Sequence, residues 1–227
     1  TKVDTSVRGT NFDYELKEAS KNIVVTELKT GVGSATLTGK ADIDITTLTS
    51  DGGIIIEADH DIKVSGTITG SNAGHVSFFA DKTADDDGAI LDLGGKIVMS
   101  GGDLFLKAGD GIGTSNAIIE TEGLTDFAAV SKTGGIYLRN SSSGDIDIKA
   151  VTAAGTTITG VKTTSAGAVN IENAATNKSI KVSEAVEAKT GKVTLKAANI
   201  LDIDAAITAN GNGTGGADLD GKSIDID

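Results

Sequence analysis

Pairs of carboxylates two residues apart come nearest to catalytic equipment in this chain. Among them are Asp42 and Asp44, Asp145 and Asp147, Asp202 and Asp204, Asp218 and Asp220, and Asp225 and Asp227. In a strand, residues two apart share a face, so each pair presents two carboxyl groups about 7 Å apart. That separation is compatible with acid and base work on a glycoside. The pairs are spread evenly along the chain, however, and an active site is a single departure from a pattern, so solvated outer faces account for them better. The densest acidic run is Asp85, Asp86 and Asp87, next to Gly88. Three carboxylates in one loop suit a hard cation such as Ca²⁺, whose ligands are oxygens; these are the metal candidates, set against a solvated turn. No EF-hand loop supports them, and GGADLDGKS at Gly215 to Ser223 bears only a faint likeness to glycine-aspartate calcium repeats.

The other polar residues point to no reaction, and no catalytic residue or other cofactor is predicted. His60 and His75 are the only histidines, and neither has a neighbour pattern for zinc. Ser141, Ser142 and Ser143 stand in a row without a GxSxG nucleophile elbow. GDGIG at Gly109 to Gly113 lacks the lysine and the helix of a phosphate loop, and a turn explains it. Phe78, Phe79, Phe105, Phe127 and Tyr137 alternate with polar positions and are assigned to core or edge stacking, with Tyr137 and Phe105 the two that could face a sugar ring.

These residues are carried by a phrase that recurs: a glycine, then apolar and polar residues in alternation, often closed by alanine. It reads GGIIIEA from Gly52, GHVSFFA from Gly74, GGDLFLKA from Gly101, GGIYLRN from Gly134, GDIDIKA from Gly144, GAVNIEN from Gly167 and GKVTLKA from Gly191, with weaker copies at Gly33 and Gly221. A period of two buries one face and wets the other. Recurrence at the interval of a solenoid repeat, as from Gly144 to Gly167 and on to Gly191, with further short strands between, predicts stacked coils. Each coil cannot bury its apolar face alone, so neighbours must cover it. The predicted fold is an all-β parallel β-helix, a β-solenoid of about ten coils and roughly 50 Å, forming one unit over residues 1–227. The alternative is one or more antiparallel β-sandwiches. The absence of proline and the scarcity of Asn-Gly pairs, confined to Asn210–Gly211 and the adjoining Asn212–Gly213, weigh against it. Residues 1–30 are expected to form an irregular first coil, in which Tyr14 to Ile23 could make a helical turn or two.

Composition narrows the function classes. The formal charge of −12 disfavours nucleic acid and anionic membrane as partners. With no cysteine, disulfides, thiolate metal sites and thiol nucleophiles are excluded. No stretch approaches the roughly 18 apolar residues of a membrane helix. A start without Met or an apolar run suggests a mature or excised segment, and GKSIDID stopping in mid-strand suggests that more chain, or another copy, follows.

The stretch from Ala108 to Ile148 carries a resemblance. It reads AGDGIGTSNAIIETEGLTDFAAVSKTGGIYLRNSSSGDIDI and resembles a recurring element of the filamentous haemagglutinin-like exoproteins, large bacterial surface adhesins often exported by two-partner secretion. The GDGIG turn, Ala117 to Thr121, Leu124 to Ala128, GGIYLRN and GDIDI are its parts; outside this stretch only the generic glycine alternation is shared. The resemblance implies a right-handed β-helix, a bacterial cell-surface or extracellular location and a scaffold role. The functional expectation is therefore a non-enzymatic shaft of an adhesin or filament, self-assembling end to end. Its partners would be further segments or copies of the chain, stacked coil on coil, and surface glycans. The alternative is a polysaccharide-active lyase or hydrolase, or a carbohydrate-binding β-helix protein.

Overall fold

The computed structural model describes residues 2–8, 12–71, 75–211 and 216–226, with side chains from residue 12 onward. Gly74 and Asp227 of the recurring phrases, and Gly215 of the GGADLDGKS stretch, lie outside them. The described residues form 26 strands and no helix. Ten successive strands, from Lys2–Arg8 to Ala217–Asp220, make the path of an 11-stranded sheet. Ten more, from Tyr14–Glu18 to Ser223–Ile226, make the path of a 13-stranded one. The chain alternates between the two, and every pairing along them is parallel, so the fold is a β-solenoid of about nine turns. Parallel neighbours need a long crossover, and here each crossover is the opposite sheet. This pairing rules out the antiparallel sandwich. It also corrects the helical option for Tyr14 to Ile23: Tyr14–Glu18 is a strand in register with Ala35–Gly39.

The alternation in sequence becomes alternation in burial. Strands such as Ile54–Ala58 and Val193–Ala197 bury every second residue. Parallel register then stacks like on like. Ile23, Ile43, Ile62, Ile90, Ile112, Ile136, Val169 and Val193 form one continuous column of fully buried β-branched side chains. Full burial of each contributes about 1.5–3 kcal/mol.

A set of buried polar residues stands at a corner, where strands end and turn carbonyls need donors. Ser50 Oγ donates to the carbonyls of Gly33 and Gly53 at 2.8 and 2.9 Å, and Ser131 Oγ to that of Gly134 at 2.7 Å. Thr121, Asn140 and Asn173 stack in register, with Asn140 Nδ2 donating to Asn173 Oδ1 at 3.1 Å. Gly123 has the close approach that only glycine tolerates: φ is +72°, and a Cβ there would lie 1.9 Å from the Met99 carbonyl oxygen.

Two coils break the period. Where the coil is plain, register partners follow at a short interval, as Ile43 with Ile62 or Val169 with Val193. Ile68, however, pairs with Ile97, and Ile136 with Val169, so each of these coils carries extra chain. The first excess is a loop over residues 80–89. The second is an antiparallel hairpin, Ala150–Ala153 with Thr156–Thr159, inserted within one rung. Asp126–Ser131 pairs first with Ile146–Ile148 and then, past the hairpin, with Val161–Thr163. Of Thr156 to Val161, which reads as an ordinary coil strand in the sequence, Thr156–Thr159 is hairpin and only Val161 belongs to the resumed rung.

Candidate functional site

Both insertions rise from the outer face of the 13-stranded sheet, and they meet there. The hairpin lies across the rungs rather than along them. Its Val151, Ala153 and Ile158 cover Phe79, Phe105 and Ala128, which come from three successive rungs and form a second apolar cluster outside the solenoid core. The Phe79 and Phe105 rings pack 4.7 Å apart, tilted by 35°. Phe105 is fully buried and therefore does not face a ligand. Phe78 and Phe127 belong to the main core, and Tyr137 is half-buried, its ring over Gly135.

The loop at residues 80–89 is organised by Asp81. This nearly buried residue has φ +65°, and its Oδ1 accepts the Asp85 N–H at 2.9 Å. Its carboxylate fits because Gly88 and Gly109 lack side chains: a Cβ on Gly109 would lie 2.1 Å from Asp81 Oδ2, and one on Gly88 2.2 Å from the Asp81 nitrogen. Burial first, and then the hydrogen bond shared with the Asp85 carboxyl, raises the Asp81 pKa. The three metal candidates diverge. Asp85 turns to Asp81, Asp86 meets Lys132 Nζ with both oxygens at 2.6 Å, and Asp87 lies 3.7 Å from His60 Nδ1. Among the described residues no group of three or more His, Cys, Asp or Glu side chains is placed to hold a metal ion.

A second acidic cluster stands at the other side of the hairpin. Asp103, Asp126 and Asp147 are register partners on successive rungs. His75 Nδ1 lies 2.9 Å from Asp103 Oδ2, Lys149 Nζ lies 2.6 Å from Asp126 Oδ2, and Ser183 Oγ donates to Asp147 Oδ1 at 2.7 Å. Burial raises the Asp103 pKa, and a hydrogen bond shared with the Asp126 carboxyl adds to it, against the opposing pull of His75. Lys149, held by Asp126, is raised as well. Ser77 follows His75 on the same outward face, so serine, histidine and aspartate are neighbours. Its hydroxyl is buried and has no hydrogen-bond partner among the described residues, so no histidine activates it.

The spacing-two aspartates serve as a coat. Lys63 Nζ lies 2.5 Å from Asp42, Lys192 Nζ 2.7 Å from Asp218, and Lys181 bridges Asp204 at 2.5 Å and Asp202 at 3.2 Å. Hydrogen bonds from Asp204 and then Asp202 raise the Lys181 pKa. Asp145 Oδ1 accepts the Ser179 N–H at 2.8 Å. Ser141 to Ser143 form the turn beside buried Asn140; GDGIG places Ile112 in the buried column, and the turn that follows it is closed by Thr114 pairing with Ala117.

Three cavities flank the hairpin and the loop. One, about 270 Å³, lies between Glu57, Phe79, Asp81, Lys107 and Thr156. Another, about 210 Å³, runs from Asp81 past Lys107 to Lys132 and Thr164. The third, about 130 Å³ and likewise open to solvent, is lined by residues that include Gly53, Ile55, His75, Ser77, Ala153 and Ala154. Sequence reasoning missed this face; its signal was the pair of stretched coil lengths. The fold defines the protein as a β-solenoid with two insertions converging on one outer face. Comparison with family models, with curated proteins and with solved structures gives no match. Among the described residues no helix is long and apolar enough to cross a membrane.

Proposed function

We propose that the chain is a non-enzymatic structural shaft of a bacterial extracellular or cell-surface adhesin or filament. What supports this reading most is the unbroken pair of ten-rung parallel ladders, each rung covering the next and coated by ion pairs that join neighbouring rungs. Such a body transmits load along its axis and spaces what it carries. Its partners would be further coils of the same kind, stacked through the same parallel pairing that joins the rungs here. Electron microscopy of the purified protein tests it. Stiff rods with a rise of about 4.8 Å per coil are expected, whether single or joined end to end, and flexible or globular particles would refute the shaft.

The meeting of both insertions on one face favours a second reading, a carbohydrate-binding or polysaccharide-active β-helix protein. Incubation with acidic and neutral polysaccharides separates the two. Turnover abolished by Asp103→Asn or Asp126→Asn would replace the shaft with an enzyme.

A further inference from the structure

The cavity under the hairpin tip contains one group that the fold leaves unexplained. Ser77 is fully buried, between its register partners Ile55 and Phe105. The cluster on that patch is apolar, and Ser77 Oγ finds no partner among the described residues. A buried hydroxyl without a partner costs about 1–3 kcal/mol, whereas alanine there would cost nothing of the kind. The other buried hydroxyls at Ser50, Ser131 and Thr163 are all bonded.

We propose that this cavity binds the acetamido group of an N-acetylated sugar, with Ser77 Oγ donating to its carbonyl. The chemistry of the walls selects the ligand. A charged ligand finds no free partner, because the one ionisable side chain lining the cavity, His75, already meets Asp103. A bare sugar ring fits poorly because Ile54, Ile55, Ala153 and Ala154 offer its hydroxyls nothing, while the polar side chains Ser34 and His75 are already engaged with Asp13 and Asp103. An acetamido group brings a methyl for those walls and a single carbonyl for the single free hydroxyl. About 130 Å³ takes that group and leaves the sugar ring outside, beside the half-exposed His75. Entry requires the hairpin tip to lift, because Ser77 Oγ is closed over. The tip is suited to that: Ala154 and Gly155 are exposed, and only four residue pairs hold the hairpin together. The site stands whether or not the shaft reading holds.

The test is an NMR titration of the intact chain with N-acetylglucosamine and N,N′-diacetylchitobiose, with glucose and cellobiose as controls and Nα-acetyl-lysine amide as a non-sugar acetamide. Shifts at Ser77 and Ala153–Gly155 are expected with the acetylated sugars only. Ser77→Ala should weaken that response at least tenfold and raise the thermal midpoint, because the unpaired hydroxyl is gone while the fold, followed by circular dichroism, is kept. Equal shifts with glucose, none with either acetylated sugar, or undiminished binding by Ser77→Ala would each overturn the proposal. A response to the acetylated lysine as strong as to the sugars would overturn the assignment to a sugar.

Discussion

Replacing Asn173 by alanine should be the most damaging change of a polar residue in the chain's interior. Asn173 is fully buried; its Nδ2 donates to the carbonyls of Ser179 and Gly144 at 2.9 and 3.1 Å, and its Oδ1 accepts from Asn140 at 3.1 Å. Alanine removes three hydrogen bonds and leaves two carbonyls without this donor. Asn140 Nδ2 keeps its bond to the Ser143 carbonyl at 3.3 Å. At about 1 kcal/mol per bond the loss is about 3 kcal/mol, rising toward about 5 kcal/mol if the carbonyls stay dry. Urea unfolding followed by circular dichroism measures it, and hydrogen exchange should localise it to residues 136–148 and 169–182. Asp supplies a sharper control. As a carboxylate it has no donor and faces two carbonyls, so burial raises its folded-state pKa. The folded chain then holds the proton more tightly than the unfolded chain, and stability falls as pH rises through that value. Asn173→Asp should therefore lie closer to wild type at pH 4 than at pH 7. A loss below about 1 kcal/mol for alanine, or no pH difference for Asp, would refute the ladder's role.

Three further outcomes follow from the outer face. Replacing residues 150–159 by Gly-Gly is geometrically simple, since the Gly160 N–H already reaches the Lys149 carbonyl at 3.3 Å; it should uncover Phe79 and Phe105 and raise dye binding severalfold, while far-UV circular dichroism keeps its β signal. Gly109→Ala drives a Cβ onto the Asp81 side chain, 2.1 Å from Oδ2 and 2.6 Å from Cβ, and should cost roughly 1–3 kcal/mol in denaturant unfolding, a cost largely absent when Asp81 is already Gly. Asp103 has a folded-state pKa above its ordinary 3.8, so wild type loses stability relative to Asp103→Asn as pH rises from 3.8 through that value; thermal midpoints of the two proteins across that range should diverge, and parallel curves would refute the shift.

The solenoid was legible because its physics is repetitive. GKVTLKA and GAVNIEN alternate in sequence and pair residue for residue, so one phrase read correctly gives the inward face of all the others. Tyr14–Glu18 was less legible: it has a single aliphatic residue, Leu16, and two glutamates, and its strand state is set by pairing with Ala35–Gly39 rather than by its own pattern. Asn140 and Asn173 looked like variants of the closing alanine, because a residue that ends the apolar alternation can be inward or outward. Only the corner geometry, with its carbonyls in need of donors, makes them a ladder.

The outer face was hidden for a related reason. TTITG and AVTA alternate like any strand of the coil, so a hairpin built from them leaves no mark in local pattern. The mark is in spacing: GGIYLRN and GAVNIEN pair across a longer stretch of chain than GAVNIEN and GKVTLKA do, although all three occupy neighbouring rungs of one sheet. Its consequence is geometric. Four residues per strand span about 13 Å, nearly three rungs at about 4.8 Å each, so a hairpin leaving at Lys149 and lying along the axis reaches Phe105 and Phe79. Those phenylalanines are outward-facing residues that a bare coil would expose, and the tip arrives beside the other insertion, at Asp81. Excess length in one coil and excess hydrophobicity on the outside of two others are thus one feature. In a stacked fold the places to search for function are the coils whose length fails to match, together with the apolar outward residues within one hairpin's reach of them.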